Sequence, residues 1–248
     1  KRCMRFIAVK FYSGIILTND DVLSWYVKHF QAKRKFLFFP IIQKDQDFRL
    51  LLENALPVSK ILEDTYHLEG RQVLLFVGRL IDIKNLFFLL DALALVVNRY
   101  PKVILLFVGD GDQRVALERH AERNGLADHV IFAGKKQGED LYACYNVGQI
   151  FVLPSYYERF GAVVNEALLA GCYTLCSVVA GAACLIEPQK NGDLFDPASK
   201  TYLAEKLAQS LKDCEGLKQI SLKANKMCYS YDQYITSFFN QLNSIIDK

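Results

Sequence analysis

From about residue 70 onward the chain alternates short, wholly apolar runs with longer segments whose apolar residues recur at helical spacing. Residues 73–77 form such a run and end at Gly78. Residues 85–100 place Leu86, Leu89, Leu90, Leu93, Val96 and Val97 on one helical face and are followed by Pro101. Residues 103–108 repeat the apolar run and end at Gly109; residues 112–124 read as a polar helix closed by Gly125. The same rhythm predicts strands at 130–132, 150–153, 173–177 and 192–195. It predicts helices at 139–145, at 162–170 (closed by Gly171), at 201–214 and at 217–227. Strands that are apolar on both faces and separated by helices imply a parallel sheet covered on both sides. The expectation is an α/β fold, a doubly wound, six-stranded, Rossmann-like parallel sheet.

Residues 1–69 lack this rhythm. They suggest a strand at 13–19 leading to a helix cap near Asn19 or Asp20, a helix at 22–29, a strand at 35–40, and helices at 47–54 and 59–66. One or two strands with a few helices do not close a core of their own. This segment is expected to be part of a second domain that packs on something else. The run Lys33-Arg34-Lys35-Phe36-Leu37-Phe38-Phe39 reads as a buried strand after an exposed loop, with a membrane-surface patch as the alternative. The chain opens on Lys1 rather than Met, which suggests a tag, a processing product or a fragment of a longer gene product.

Composition narrows the class without naming it. Across 248 residues, 52% are apolar, enough for a large core. A net charge of +3 is too mild to point to nucleic acid. No run approaches the roughly 18 apolar residues of a membrane span, and no signal peptide is visible. The seven cysteines include no C-x-x-C pair and the four histidines have no ligand spacing, so buried thiols in a reducing cytosol are expected, and no metal site.

The chemistry collects in the turns that follow the strands. Glu158 and Glu166 lie eight positions apart across Phe160-Gly161, directly after the strand at 150–153. Glu158 falls on the loop; Glu166 falls inside the following helix, about one and a half turns on. Open α/β sheets bind anionic ligands at such places, where helix N-termini face the carboxyl ends of strands. Gly161 permits close backbone approach, and the N–H groups of Gly161, Ala162 and Val163 lie at the helix start. Acceptors flanking donors suit a ligand with both hydroxyls and phosphates, such as a nucleotide sugar. Gly78-Arg79 and Lys84-Asn85 follow the first strand, and two cations there suit a diphosphate whose charge grows as it departs. Gly109-Asp110-Gly111-Asp112 is an incomplete glycine fingerprint, which a tight turn capped by Asp112 also explains. The backbone at Gly134, Lys135 and Lys136 either lines a base pocket or simply carries exposed lysines.

Taken in order, these pieces resemble the donor half of family 4 (group 1) glycosyltransferases, which have the two-domain GT-B fold. The resemblance spans about residues 70–248. It rests on Val77-Gly78-Arg79-Leu80 with Lys84-Asn85, on Val108-Gly109-Asp110-Gly111, and on Pro154-Ser155. Glu158-Arg159-Phe160-Gly161, Glu166-Ala167-Leu168, Gly171, Asn191 to Pro197 and Ser230 to Tyr234 complete it. The resemblance implies that Arg79 and Lys84 bind the donor diphosphate and that Glu158 holds the transferred sugar. It places Gly161, Ala162 and Val163 on the phosphates, Glu166 on the ribose, and the backbone near Lys135 and Lys136 on the base. Gly78 and Phe160 complete the implied donor-binding set. It further implies transfer with retention, from a UDP- or GDP-sugar to a glycan or lipid-linked acceptor, with no metal or other cofactor required. The implied setting is cytoplasmic, with peripheral contact at a membrane surface. The implied division is 1–69, a partial N-terminal, acceptor-side domain and linker; 70–230, the donor-binding domain; and 231–248, a helix crossing back. One departure stands out: where the family has a Gly-Gly-x-x-Glu loop, this chain has Ala180-Gly181-Ala182-Ala183-Cys184, with a thiol for the acid.

Two other readings stay open from the sequence. One is a non-catalytic nucleotide-sugar-binding subunit that needs a partner N-terminal domain. The other is a sugar-nucleotide epimerase of the same fold. Because a complete family member implies roughly 350 or more residues in two domains, no transfer by the 248-residue chain alone is expected.

Overall fold

The structure is a computed structural model and describes residues 14–18, 23–24, 26–28, 35–214 and 222–246. Two short strands, β1 (Gly14–Leu17) and β2 (Lys35–Phe38), pair in parallel, Gly14 with Lys35 through Leu17 with Phe38. Residues 23–24 and 26–28 between them are helical, as expected; the cap position near Asn19 and Asp20 lies outside the described residues, as do Lys33 and Arg34. Helices α1 (Asp45–Asn54) and α2 (Leu56–Thr65) follow, with Pro57 inside the first turn of α2, where its missing N–H costs nothing.

The main sheet contains β3 (Gln72–Val77), β4 (Val103–Val108), β5 (Val130–Gly134), β6 (Ile150–Leu153), β7 (Tyr173–Ser177) and β8 (Gly192–Phe195). They lie in the order β5-β4-β3-β6-β7-β8, and every pairing is parallel. The doubly wound, six-stranded sheet expected from the apolar rhythm is present. Burial explains the composition of its strands: β4 is buried at every position and wholly apolar, while the edge strand β5 is half-buried throughout.

The intervening helices are α3 (Leu86–Val96), α4 (Arg114–Arg123), α5 (Glu139–Val147), α6 (Val163–Leu169) and α7 (Lys200–Asp213). Helix α3 packs on α7 and α4 on one side of the sheet; α5 packs on α1 and α2 on the other. Phe48, Leu52, Leu62 and Leu68 thereby join the core that contains the sheet. The chain reverses direction across the sheet between β3 and β6, and their carboxyl ends open a crevice there.

The last helix, α8 (Tyr231–Ile246), returns to β2. Phe39 meets Phe238 edge to face with ring centroids 5.6 Å apart, and the Phe38 N–H donates to Gln241 Oε1 at 3.3 Å.

Two local expectations need correction. The helix expected at 217–227 is not continued by residues 222–227, which are irregular. Tertiary bonds hold that stretch open: the Lys226 N–H donates to the Leu168 carbonyl at 2.9 Å, and the Asn225 amide donates to Asp45 at 3.1 Å. Nor does Asp112 cap α4. The cap position is Gln113, without a side-chain bond, while Asp110 accepts from the Gly111 N–H at 2.8 Å. The thiols of Cys144, Cys172, Cys176 and Cys214 are buried, but Cys184 is exposed.

Candidate functional site

Three loops, after β3, β4 and β6, meet at the carboxyl edge of the sheet, and backbone bonds join the first to each of the others. The Leu80 N–H donates to the Asp110 carbonyl at 2.9 Å, and the Gln113 N–H donates back to Leu80 at 3.1 Å. Gly109 makes this approach possible. Its φ is +148°, and a Cβ there would lie 1.8 Å from the Gly78 carbonyl oxygen. The glycines of the incomplete fingerprint therefore serve loop-to-loop packing.

The loop after β3 carries Arg79 and then a 3-10 turn, Asp82–Lys84, that ends on Asn85 in the left-handed conformation. The Asn85 side chain pays back the cost of that turn by donating to the Pro197 carbonyl at 3.0 Å. The loop after β6 is drawn onto this turn: the Tyr156 N–H donates to the Ile83 carbonyl at 3.2 Å, and the Tyr156 hydroxyl donates to Asp82.

This docking brings Lys84 against Glu158. The Lys84 ammonium donates to Glu158 Oε2, and both side chains are mostly shielded, 13% and 17% exposed. Their sequence separation is 74 residues. Arg79 stands exposed on the same loop and makes no ion pair among the described residues. Glu158 also bridges to Ala180, which ties in the loop after β7. At Gly161, φ +93°, a Cβ would press on Leu153 at 2.8 Å and on the Glu158 Cγ at 3.2 Å, so only glycine lets Glu158 fold back across the turn. Phe160 is buried and anchors the turn, its carbonyl accepting from the Ala182 N–H at 2.7 Å. The N–H groups of Gly161, Ala162 and Val163 have no hydrogen-bond partner among the described residues.

Glu166 lies one turn into α6, half-buried, and its Oε2 accepts from the buried Tyr145 hydroxyl at 2.7 Å. Burial raises its pKa above the ordinary carboxylate value, and the Tyr145 hydrogen bond opposes that rise. It lines a cavity of 180 Å³ together with Lys44, Asp47 and Tyr142. Lys135, exposed, and Lys136, half-buried, follow β5, two strands from the crevice on the same edge. Ser155, just past β6, is fully buried and its hydroxyl has no hydrogen-bond partner among the described residues.

Gly78, Arg79, Lys84, Lys135, Lys136, Glu158 and Gly161 thus follow the carboxyl ends of their strands, whereas Glu166, inside α6, opens on the cavity beside α1 and α5. Lys84 and Glu158, assigned on sequence to phosphate and sugar, touch each other. Tyr145 and the Asp82–Tyr156 contact were missed. A tyrosine inside an amphipathic helix reads as core, and nothing local tells that its hydroxyl meets an acid 21 residues away. Among the described residues no cluster of His, Cys, Asp or Glu could hold a metal ion, and no helix is long and apolar enough to cross a membrane.

Comparison with known proteins identifies the fold and the family. A glycosyltransferase of Methanocaldococcus jannaschii, itself uncharacterized, is 31% identical over 161 residues, 65% of this chain and 41% of that protein. The alpha-D-kanosaminyltransferase of Streptomyces kanamyceticus is 29% identical over 154 residues, 62% of this chain and 40% of that protein. The aligned region thus spans less than half of each relative. Among solved structures, HepE of Anabaena in complex with UDP superposes with a TM-score of 0.75 at 20% identity, over 97% of this chain and 65% of that one. This likeness confirms the fold. The family model of the group 1 glycosyl transferases matches residues 59–227, well over half of the chain, and so this protein belongs to that family.

Proposed function

We propose that this chain supplies the donor-binding half of a glycosyltransferase, holding a nucleoside-diphosphate sugar along the carboxyl edge of the sheet. The observation that carries the proposal is the meeting of the β3 and β6 loops at the reversal point, which forms the Lys84–Glu158 pair on the same loop as Arg79, a residue with no ion pair among the described residues. In the proposed arrangement Arg79 and Lys84 neutralise the diphosphate, and Lys84 exchanges part of its contact with Glu158 for a phosphate oxygen. As the bond from the sugar to the β-phosphate breaks and the anomeric carbon bonds to the acceptor's hydroxyl oxygen, whose proton passes to the departing phosphate, the electron pair stays on the diphosphate, and the two cations stabilise it there. Glu158, released from exclusive pairing, accepts from a sugar hydroxyl. Gly161, Ala162 and Val163 offer N–H groups to the phosphates, and Gly78 keeps the loop close. Glu166 receives the ribose hydroxyls, and the backbone by Lys135 and Lys136 borders the base.

The family's resemblance adds retention at the anomeric carbon and a glycan or lipid-linked acceptor. It also adds a cytoplasmic setting peripheral to a membrane, and the division into residues 1–69, 70–230 and 231–248. UDP and GDP are both candidate nucleotides; UDP is the first to test, since HepE is known in complex with it.

Isothermal calorimetry of the wild-type chain and of Glu166→Ala, against UDP and against GDP, tests the reading. One of the two nucleotides binds the wild type, and the substitution weakens it about tenfold, the worth of a charge-assisted hydrogen bond. Equal and negligible heats for both proteins with both nucleotides would overturn the assignment.

A further inference from the structure

We propose that Tyr145 is the positioning residue of the donor site: its buried hydroxyl fixes one oxygen of Glu166 and leaves the other turned to a ribose. The inference rests on the reading of Glu166 as the ribose-binding acid and extends it to a second residue.

The geometry of Tyr145 is over-determined. The side chain is fully buried, its ring 6.3 Å from that of Phe48 and 6.4 Å from that of Phe151. Its backbone is fastened just as firmly. The Lys223 ammonium donates to the carbonyls of Tyr145 at 3.4 Å, Asn146 at 2.5 Å and Gly148 at 2.7 Å, closing the carboxyl end of α5 with a cation. The Asn146 amide donates to the Leu52 carbonyl at 2.8 Å and to the Ser59 hydroxyl at 3.0 Å, which ties α5 to α1 and α2. The Tyr145 hydroxyl thus reaches Glu166 from a frame with little freedom to move.

Glu166 has the opposite character. It is half-buried, on a helix of seven residues, and among the described residues Tyr145 is the one hydrogen-bond partner of its carboxylate. Without that bond, a glutamate of this exposure samples several rotamers, and each contact with a ligand would bear the cost of ordering it. The hydroxyl also steadies the negative charge that a ribose donor needs, against the desolvation that raises the carboxyl pKa. The nearest cation fixed on its helix is Arg49 of α1, whose guanidinium donates to the Leu169 carbonyl at 2.9 Å. Helix α5 presents Tyr142 as well as Tyr145 to the cavity, and Lys44 and Asp47 before and within α1 pair with each other at 3.8 Å. Strands β6 and β7 and the 3-10 turn Gly181–Leu185 contribute no charged side chain.

A tyrosine that merely fills space would tolerate loss of its hydroxyl without any change at Glu166. Two measurements on the 248-residue chain separate these roles. In the absence of ligand, carboxyl carbon NMR follows the titration of Glu166, identified by its loss in Glu166→Gln. The Glu166 midpoint moves upward in Tyr145→Phe; an unchanged midpoint overturns the proposal. With ligand, calorimetry compares UDP and GDP with their 2′,3′-dideoxy forms. Tyr145→Phe weakens the ribonucleotide that binds by about tenfold and leaves the dideoxy form unchanged. Equal losses for both forms, or no loss for either, overturn it. A wild-type chain that binds neither nucleotide, or binds ribo and dideoxy forms alike, removes the ribose role of Glu166, and the positioning role falls with it. Loss of ribose discrimination in Glu166→Gln, with none in Tyr145→Phe, leaves the donor reading standing and sinks this one alone.

Discussion

Glu166 is pulled in two directions, and its pH behaviour follows from which pull is larger. Burial raises its folded-state pKa above that of an unfolded carboxylate, so between those two values the folded chain binds more protons. Stability from this residue is therefore present at low pH and falls as pH rises through that window. At pH 7 the charged side chain is a burden that Tyr145 only partly relieves. Glu166→Gln keeps an oxygen for the Tyr145 hydroxyl and sheds the charge. Its melting temperature at pH 7 exceeds that of the wild type, and the gap closes below pH 4, as scanning calorimetry at the two pH values will check. A variant less stable than wild type at pH 7 would contradict the account. The carboxylates themselves were legible from the sequence, because Glu158 and Glu166 flank a Phe-Gly turn after an apolar run. Their partners were not. Lys84 meets Glu158 across 74 residues and Tyr145 meets Glu166 across 21, and pairings at such separations leave no local pattern.

At the scale of elements, the site depends on loops that touch one another. Gly109→Ala would drive a methyl group into the Gly78 carbonyl, 1.8 Å away, at a position whose φ disfavours any side chain. The substitution costs at least about 3 kcal/mol in urea unfolding, in the range reserved for backbone clashes and strain. A loss below 1 kcal/mol, about the scale of an ordinary surface change, would show that the loops separate easily. Lys223→Met strands three carbonyls at the end of α5 and costs about 2 kcal/mol; a neutral result in the same assay would mean that water replaces the ammonium. The strands were legible because a parallel sheet buried on both faces writes unbroken apolar runs, as in Val103–Val108. Residues 217–227 misled for the converse reason. Their composition suits a helix, but the described part, residues 222–227, is held irregular by long-range bonds from Lys223, Asn225 and Lys226, and tertiary contact overrides local preference.

For the whole molecule, family and fold are settled by the match over residues 59–227 and by the parallel sheet reversing between β3 and β6. The central claim is that this reversal point is a nucleoside-diphosphate site. Backbone amide NMR of the 248-residue chain during titration with UDP, and separately with GDP, tests it most directly. The account predicts that one nucleotide produces saturable shifts largest at Gly78, Arg79, Lys84, Gly161, Ala162, Val163 and Glu166, with weaker ones at Lys135 and Lys136. Shifts centred away from the carboxyl edge of the sheet, or none with either nucleotide, would contradict it.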